Sequence, residues 1–276
     1  MSKNLFLACL LIGQLFAGST VTLAAEEAKE AYRFAVFPYL PPREIEKIYS
    51  QVAKDFSRIL NHPVIFKTSS SYESFMDAMV SEQFEFAFVQ PFDYVDLADK
   101  HGYRPLAARE KQLRGVVVVA DDSPMKSMKD LRGKVLAMTP KSAAVSYLVF
   151  DELERQGLKV GKDIQVKHFL SHVSCLQQLK IRKADACSTA MPAVNFFQDK
   201  MKIKLREIGK TKAVPHSLFV ANPSVPIDKR ELIQKRILEW GRTEEGKQFM
   251  EGFRLALFKK IDDSAYDVVR AIKRKL

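Results

Sequence analysis

Acidic residues, cysteine and tryptophan are the scarce components of this chain. There are 33 Asp and Glu against 44 Lys and Arg, with three cysteines and one tryptophan in 276 residues. No zinc-finger spacing of cysteine and histidine occurs. The Gly-x-Ser-x-Gly elbow, His-Glu-x-x-His and Gly-x-Gly-x-x-Gly are also missing, which removes the usual signatures of an α/β-hydrolase, a zinc peptidase and a dinucleotide site. Gly241 to Lys247 spells a phosphate-loop pattern, but Gln248 stands where Ser or Thr is required. That stretch lies between helical segments rather than after a strand, so it reads as a chance match. Beyond the first 25 residues no apolar run reaches the ~18 residues of a membrane span. No Pro/Gly-rich linker, low-complexity segment or internal repeat is evident.

The shortage of acid leaves a formal net charge of +11. Such a balance suits nucleic acid, anionic lipid or an anionic ligand. The bases are scattered, however, over Lys126 to Lys134, Lys200 to Arg206 and Arg270 to Lys275, as solvated surface charge is. Without an aromatic-interleaved basic motif, no nucleic-acid partner is expected.

Residues 1–25 read as a cleaved secretory signal: Lys3, an apolar run from Leu5 to Gly18 broken only by Gln14, then small residues before Glu26. A retained N-terminal anchor is the alternative. Cys9 is a poor lipidation site, because few apolar residues precede it and the run continues past it. Export predicts a periplasmic location. It also makes Cys175 and Cys187 a candidate disulfide, with two buried thiols as the alternative.

About 250 residues remain, which suits two lobes better than one core. Strand patterns at Arg33–Phe37, Pro63–Phe66, Phe84–Val89, Gly115–Ala120, Val135–Met138, Ile164–Phe169, Ala186–Ala190, Leu205–Ile208 and Ser217–Ala221 alternate with helical spacing. The C-terminal part reads as helices from Lys229, Glu244 and Ser264, without a sheet of their own. The pattern predicts an α/β protein of parallel sheets covered by helices. Lobe 1 is expected to comprise residues 26–112 and 216–276, and lobe 2 residues 113–215, with a ligand where strand ends and helix starts face each other.

Three strand-to-helix junctions are rich in hydroxyls: Thr68 to Tyr72, Thr139 to Ser142, and Ser171-His172. Each offers free backbone N–H groups to an anion, or simply caps its own helix. Ser71 is an expected cap, although Ser74 lacks the carboxylate of a capping box. Lys141 adds positive charge at one junction. Tyr39, Tyr72 and Tyr94 follow strands and suit a small-ligand pocket or core packing. His168 and His172 are four apart but span a strand and a turn, a poor match to helical metal ligands. No cofactor is implied, and His172 has no nucleophile in its motif, so an enzyme is disfavoured.

Five motifs in register across residues 32–222 resemble the phosphate/phosphite/phosphonate-binding proteins of ABC transporters. They are Phe37-Pro38-Tyr39, Ser71 to Phe75, Phe88 to Tyr94, Asp122 to Pro124 with Lys129 to Lys134, and Ser171-His172 with Lys183 to Ala186. The resemblance implies a type II periplasmic-binding-protein fold, two Rossmann-like lobes with a ligand cleft between them. It implies a small anionic, phosphonate-like ligand bound by hinge closure and delivered to an ABC permease by a monomer. It places Tyr39, Tyr72, Gln90, Ser142 and His172 at the cleft. Where the family carries a Ser-Thr-Ser run, this chain has Ser142-Ala143-Ala144, two hydroxyls fewer, preceded by Lys141. The same fold would also serve an extracytoplasmic sensor that presents its closed form to a membrane signalling protein.

Overall fold

The computed structural model describes residues 31–40, 42–81, 84–253 and 255–276; the expected signal segment lies outside them. The chain begins β1 (Tyr32–Val36), α1 (Pro42–Leu60), β2 (Val64–Thr68), α2 (Tyr72–Val80), β3 (Phe86–Val89), α3 (Pro91–His101) and β4 (Arg104–Arg109). It continues β5 (Val116–Ala120), β6 (Val135–Met138), α4 (Ala144–Arg155), β7 (Gln165–His168), α5 (His172–Lys180), β8 (Ala186–Thr189), α6 (Met191–Met201) and β9 (Leu205–Lys210). The last elements are β10 (Leu218–Ala221), α7 (Ile227–Glu239), α8 (Glu244–Phe253), β11 (Phe258–Lys259) and α9 (Asp267–Lys273).

Two sheets result, of order β11-β4-β10-β3-β1-β2 and β7-β6-β8-β5-β9. They are mixed rather than purely parallel. β10 runs antiparallel to β3 and β4, and β5 antiparallel to β8 and β9. These antiparallel strands are the ones that enter each sheet from the other, since the chain changes sheet between β4 and β5 and returns between β9 and β10. The two crossing segments run side by side, with Leu113 and Val214 exchanging backbone hydrogen bonds of 2.9 and 3.0 Å. Gly115 is closely packed there: a Cβ would stand 3.1–3.3 Å from Val149, Thr211 and Val145, which would have to give way.

The sheets also share a plan that the sequence conceals. Helix α5, strand β8 and helix α6 repeat α2, β3 and α3 at an offset of 100 residues. The identities within that repeat are few, but Ser71 and Ser74 recur as Ser171 and Ser174. Both pairs close a reciprocal cap. The first serine accepts from the backbone N–H of the second, whose hydroxyl oxygen accepts from the backbone N–H of the first. Ser74 thus does the work expected of a carboxylate, because a hydroxyl oxygen reaches the same orphan donor.

The cores differ in kind. The six-stranded sheet packs on rings, with Phe88 and Phe219 at 4.8 Å and Phe56 stacked on Trp240 at 6.0 Å. The five-stranded sheet is covered by two mostly aliphatic clusters, one around Val117, Leu136 and Leu153, the other around Val118, Leu176 and Leu179. Cys175 and Cys187 form a disulfide between α5 and β8, with a Cα separation of 5.9 Å. Strands β4 and β11 were not expected from sequence, and β11 gives the C-terminal part a place in the larger sheet.

Candidate functional site

The strand order brings the C-terminal ends of β1, β3 and β4 to one edge of the larger sheet, beside α2 and α3. That edge meets the start of α4 from the smaller sheet. Gln90, buried at the head of α3, makes the contact. Its Oε1 accepts from Ala144 N–H at 2.7 Å and its Nε2 donates to Ser142 C=O at 2.6 Å. Helix α4 has Ala143 at its N-cap and no side-chain cap of its own, so Gln90, at the head of α3, supplies one. Around that point Phe92 stacks on Tyr147 at 4.5 Å and Lys275 pairs with Asp151 at 2.9 Å. Ala144 and Leu148 belong to the aromatic core cluster rather than to the core of their own sheet.

Asp93 accepts from Gln90 Nε2 at 3.0 Å through Oδ1, while its Oδ2 is buried without a hydrogen-bond partner among the described residues. Burial pushes this carboxyl up to about 7, against the pull of Gln90 and Lys273. A carboxyl that keeps its proton near neutrality repels an anion little and can donate to it. Tyr72, at the head of α2, is raised by burial and then by Asp93.

His172 holds the equivalent position in the repeat, at the head of α5. Its Nδ1 lies 2.8 Å from Thr189 Oγ1, at the end of β8. Burial pulls its pKa down to about 4, so the ring is a neutral hydrogen-bonding group. It therefore takes up a proton less readily in the folded chain than in the unfolded one. Stability associated with His172 is intact above its ordinary value of 6.5 and falls with acid until about 4. Ligand affinity should accordingly show no histidine titration between pH 5 and 8. His172→Ala should weaken binding by about 10- to 100-fold, the worth of one hydrogen bond to a charged group, and lower the melting temperature at pH 8 only by the loss of its contact with Thr189. Calorimetric titration at pH 5.5 and 8 checks both, and an affinity unchanged by the substitution removes His172 from the site.

Ser142 is half-buried and Lys141 exposed at the start of α4. Tyr39 is part-exposed, its hydroxyl 3.0 Å from that of Tyr49. Tyr94, expected at the cleft, is fully buried instead. Its hydroxyl donates to Asp263 at 2.6 Å and its ring meets Tyr266 at 4.7 Å, so it anchors the C-terminal segment on α3. His168 is held by Thr139 C=O at 2.7 Å, away from the partner of His172.

The sequence reading missed Arg109, the last residue of β4. Its guanidinium lies over the rings of Tyr39 and Phe88, at 5.5 and 5.2 Å, and Nη2 donates to Tyr39 Oη at 3.3 Å. Its Nε is buried without a hydrogen-bond partner among the described residues.

The family model for the periplasmic substrate-binding protein of phosphonate ABC transporters matches residues 34–266. The chain belongs to this family. Among solved structures, PhnD1 from Prochlorococcus marinus in complex with methylphosphonate is similar, with 16% identity and a TM-score of 0.76 over 89% of this chain and 97% of that one. A binding-protein component of an ABC phosphonate transporter from Pseudomonas aeruginosa shares 13% identity and a TM-score of 0.75, over 89% and 86% of the two chains. XAC2383 from Xanthomonas citri, bound to ATP, shares 13% identity and a TM-score of 0.71, over 88% and 96%. The fold is that of type II periplasmic binding proteins, as the two sheets and the paired crossing segments require. The family is one of periplasmic substrate-binding proteins for transport, not of enzymes. Among the described residues, no helix is long and apolar enough to cross a membrane.

Proposed function

We propose that this chain binds a small phosphonate-type anion between its two lobes and delivers it, as a monomer in the periplasm, to an ABC permease. The observation that carries this reading is the meeting of Gln90 with the start of α4. Polar groups from both sheets converge there, within a fold and family built for solute capture. Tyr39, Tyr72 and Gln90 would present the ligand to lobe 1, and Ser142, His172 and the charge of Lys141 to lobe 2. Because α4 reaches across to α3, the α4 start can contribute to a site on the larger sheet only when the lobes are together. A ligand touching both sides would then shift the population toward closure about the segments around Leu113 and Val214. With two hydroxyls fewer at Ala143 and Ala144, and the Ala144 N–H already taken by Gln90, oxygen recognition falls to Ser142, His172 and Lys141.

A thermal-shift screen of the mature protein against phosphate, phosphite, alkylphosphonates, sulfonates and amino acids tests this. A ligand at 100 times its dissociation constant adds about 2.7 kcal/mol, which for a chain of this size raises the melting temperature by roughly 5–10 °C. Stabilisation by an alkylphosphonate is expected. Stabilisation by non-phosphorus compounds alone would overturn the ligand class.

A further inference from the structure

Arg109 is a cation without a counter-charge. Its neighbours are two ring faces, the Tyr39 hydroxyl and, nearby, Tyr49; no carboxylate pairs with it among the described residues. His216 is near enough to feel its charge. Burial, and then Arg109 itself, draw that imidazole down to about 3, so His216 is neutral and cannot share or offset the charge. Elsewhere in the chain a buried guanidinium is treated differently: Arg236 is met by both oxygens of Asp55. An uncompensated guanidinium at the cleft edge of a sheet is costly to keep unless something anionic arrives to complete it.

Its position says where that anion lies. Arg109 covers Tyr39, Tyr39 stacks on Phe37 at 4.9 Å, and Phe37 meets Tyr72 at 6.2 Å. Tyr72 in turn lies by Asp93, which is tied through Gln90 to the start of α4. Arg109 is thus linked by a row of rings to the point where the two sheets meet, beside Lys141 and Ser142. We infer that the ligand is a two-headed anion, a phosphonate bearing a second acid group, with Arg109 and Tyr39 holding the second acid. This rests on the proposed phosphonate-binding function and narrows its ligand class.

Titration calorimetry on matched pairs tests it: propylphosphonate against 3-phosphonopropionate, propanesulfonate against 3-sulfopropionate, and butyrate against succinate. The wild-type protein should bind the acid-tailed member at least about tenfold more tightly than its partner. Arg109→Met should abolish that advantage, weakening the acid-tailed member far more than the singly headed one, while Arg109→Lys should keep part of it. No advantage in the wild type, or equal weakening of both members by Arg109→Met, would overturn the inference. If no phosphorus compound binds, the phosphonate reading fails, and the sulfonate and carboxylate pairs decide Arg109 by the same comparison. Binding in none of the pairs overturns both. Without ligand, Arg109→Met trades two ring contacts and a hydrogen bond for relief of an unpaired cation, so its melting temperature should stay within about 5 °C of the wild type; a larger fall would mark Arg109 as a structural residue and also overturn the inference.

Discussion

Asp55→Ala should cost about 3–5 kcal/mol of folding free energy, the loss expected when a buried ion pair is deprived of one partner. Asp55 projects from α1 and is only 6% exposed. Its Oδ2 accepts from Arg236 Nε at 2.7 Å and from Trp240 Nε1 at 2.9 Å, and its Oδ1 from Arg236 Nη2 at 2.9 Å. Arg58, from the next turn of α1, adds a contact of 2.8 Å from the solvent side. The substitution would strand a buried guanidinium and a buried indole N–H, leaving Arg236 only the exposed Glu245 at 3.2 Å. For a chain of this length the melting temperature should fall by roughly 6–20 °C, read by circular dichroism. Arg58→Ala removes a solvated partner and should change it far less. A small effect of Asp55→Ala would show that the α1–α7 seam is held by its rings alone.

The same carboxylate gives a pH dependence of known sign. Burial pushes Asp55 up, but hydrogen bonds from Arg236, Arg58 and Trp240 outweigh it, and the pKa lies below its ordinary 3.8. Such a group stabilises the fold above that ordinary value and loses its contribution as the pH falls through the lower, folded one. The gap between wild type and Asp55→Asn should therefore be constant from pH 8 to about 5 and close below 4.

Much of the fold could be read before any coordinates, because its strands are continuous apolar runs and its helices carry a clear stripe. Val116–Val119 and Phe86–Val89 are fully covered strands, and they read as such. The elements that escaped are those whose conformation is imposed from outside. Strand β4, Arg-Pro-Leu-Ala-Ala-Arg, has no β-branched residue; it is a strand because β10 and β11 pair with its two edges. Missing β4 hid Arg109, since an arginine after two alanines reads as surface charge. The repeat was hidden because aromatic positions of the larger sheet are small in the other: Phe75 against Cys175, Phe88 against Ser188. The capping serines, which serve the backbone rather than a core, stayed alike, as did Asp99-Lys100 and Asp199-Lys200 near the helix ends. Tyr94 failed for a related reason. Its place in its motif was legible, but the helix that covers it comes from the far end of the chain.

Tyr72 and His172 occupy equivalent places in the repeat. Each stands at the first position of a helix whose cap is a Ser-x-x-Ser pair, one on either sheet. The cap fixes the helix start, and the helix start fixes the ring. On the smaller sheet a covalent bond adds to this control. Cys175 lies one turn beyond His172, and Cys187 two residues before Thr189, the residue that contacts His172 Nδ1. The disulfide thus joins the helix that carries the imidazole to the strand that orients it. Closing a loop of sequence separation 12 stabilises the fold by about 3 kcal/mol in the chain-entropy account. The double substitution Cys175→Ala/Cys187→Ala should lower the melting temperature by roughly 6–12 °C. Both sulfurs are buried, so the wild type should resist mild reductant while folded and lose the same increment only when reduced after unfolding. Because α5 keeps its serine cap, the double variant should still bind ligand, with affinity weakened by less than about tenfold. If binding is instead lost as completely as in His172→Ala, the bridge, rather than Thr189 and the cap, is what holds the imidazole in place.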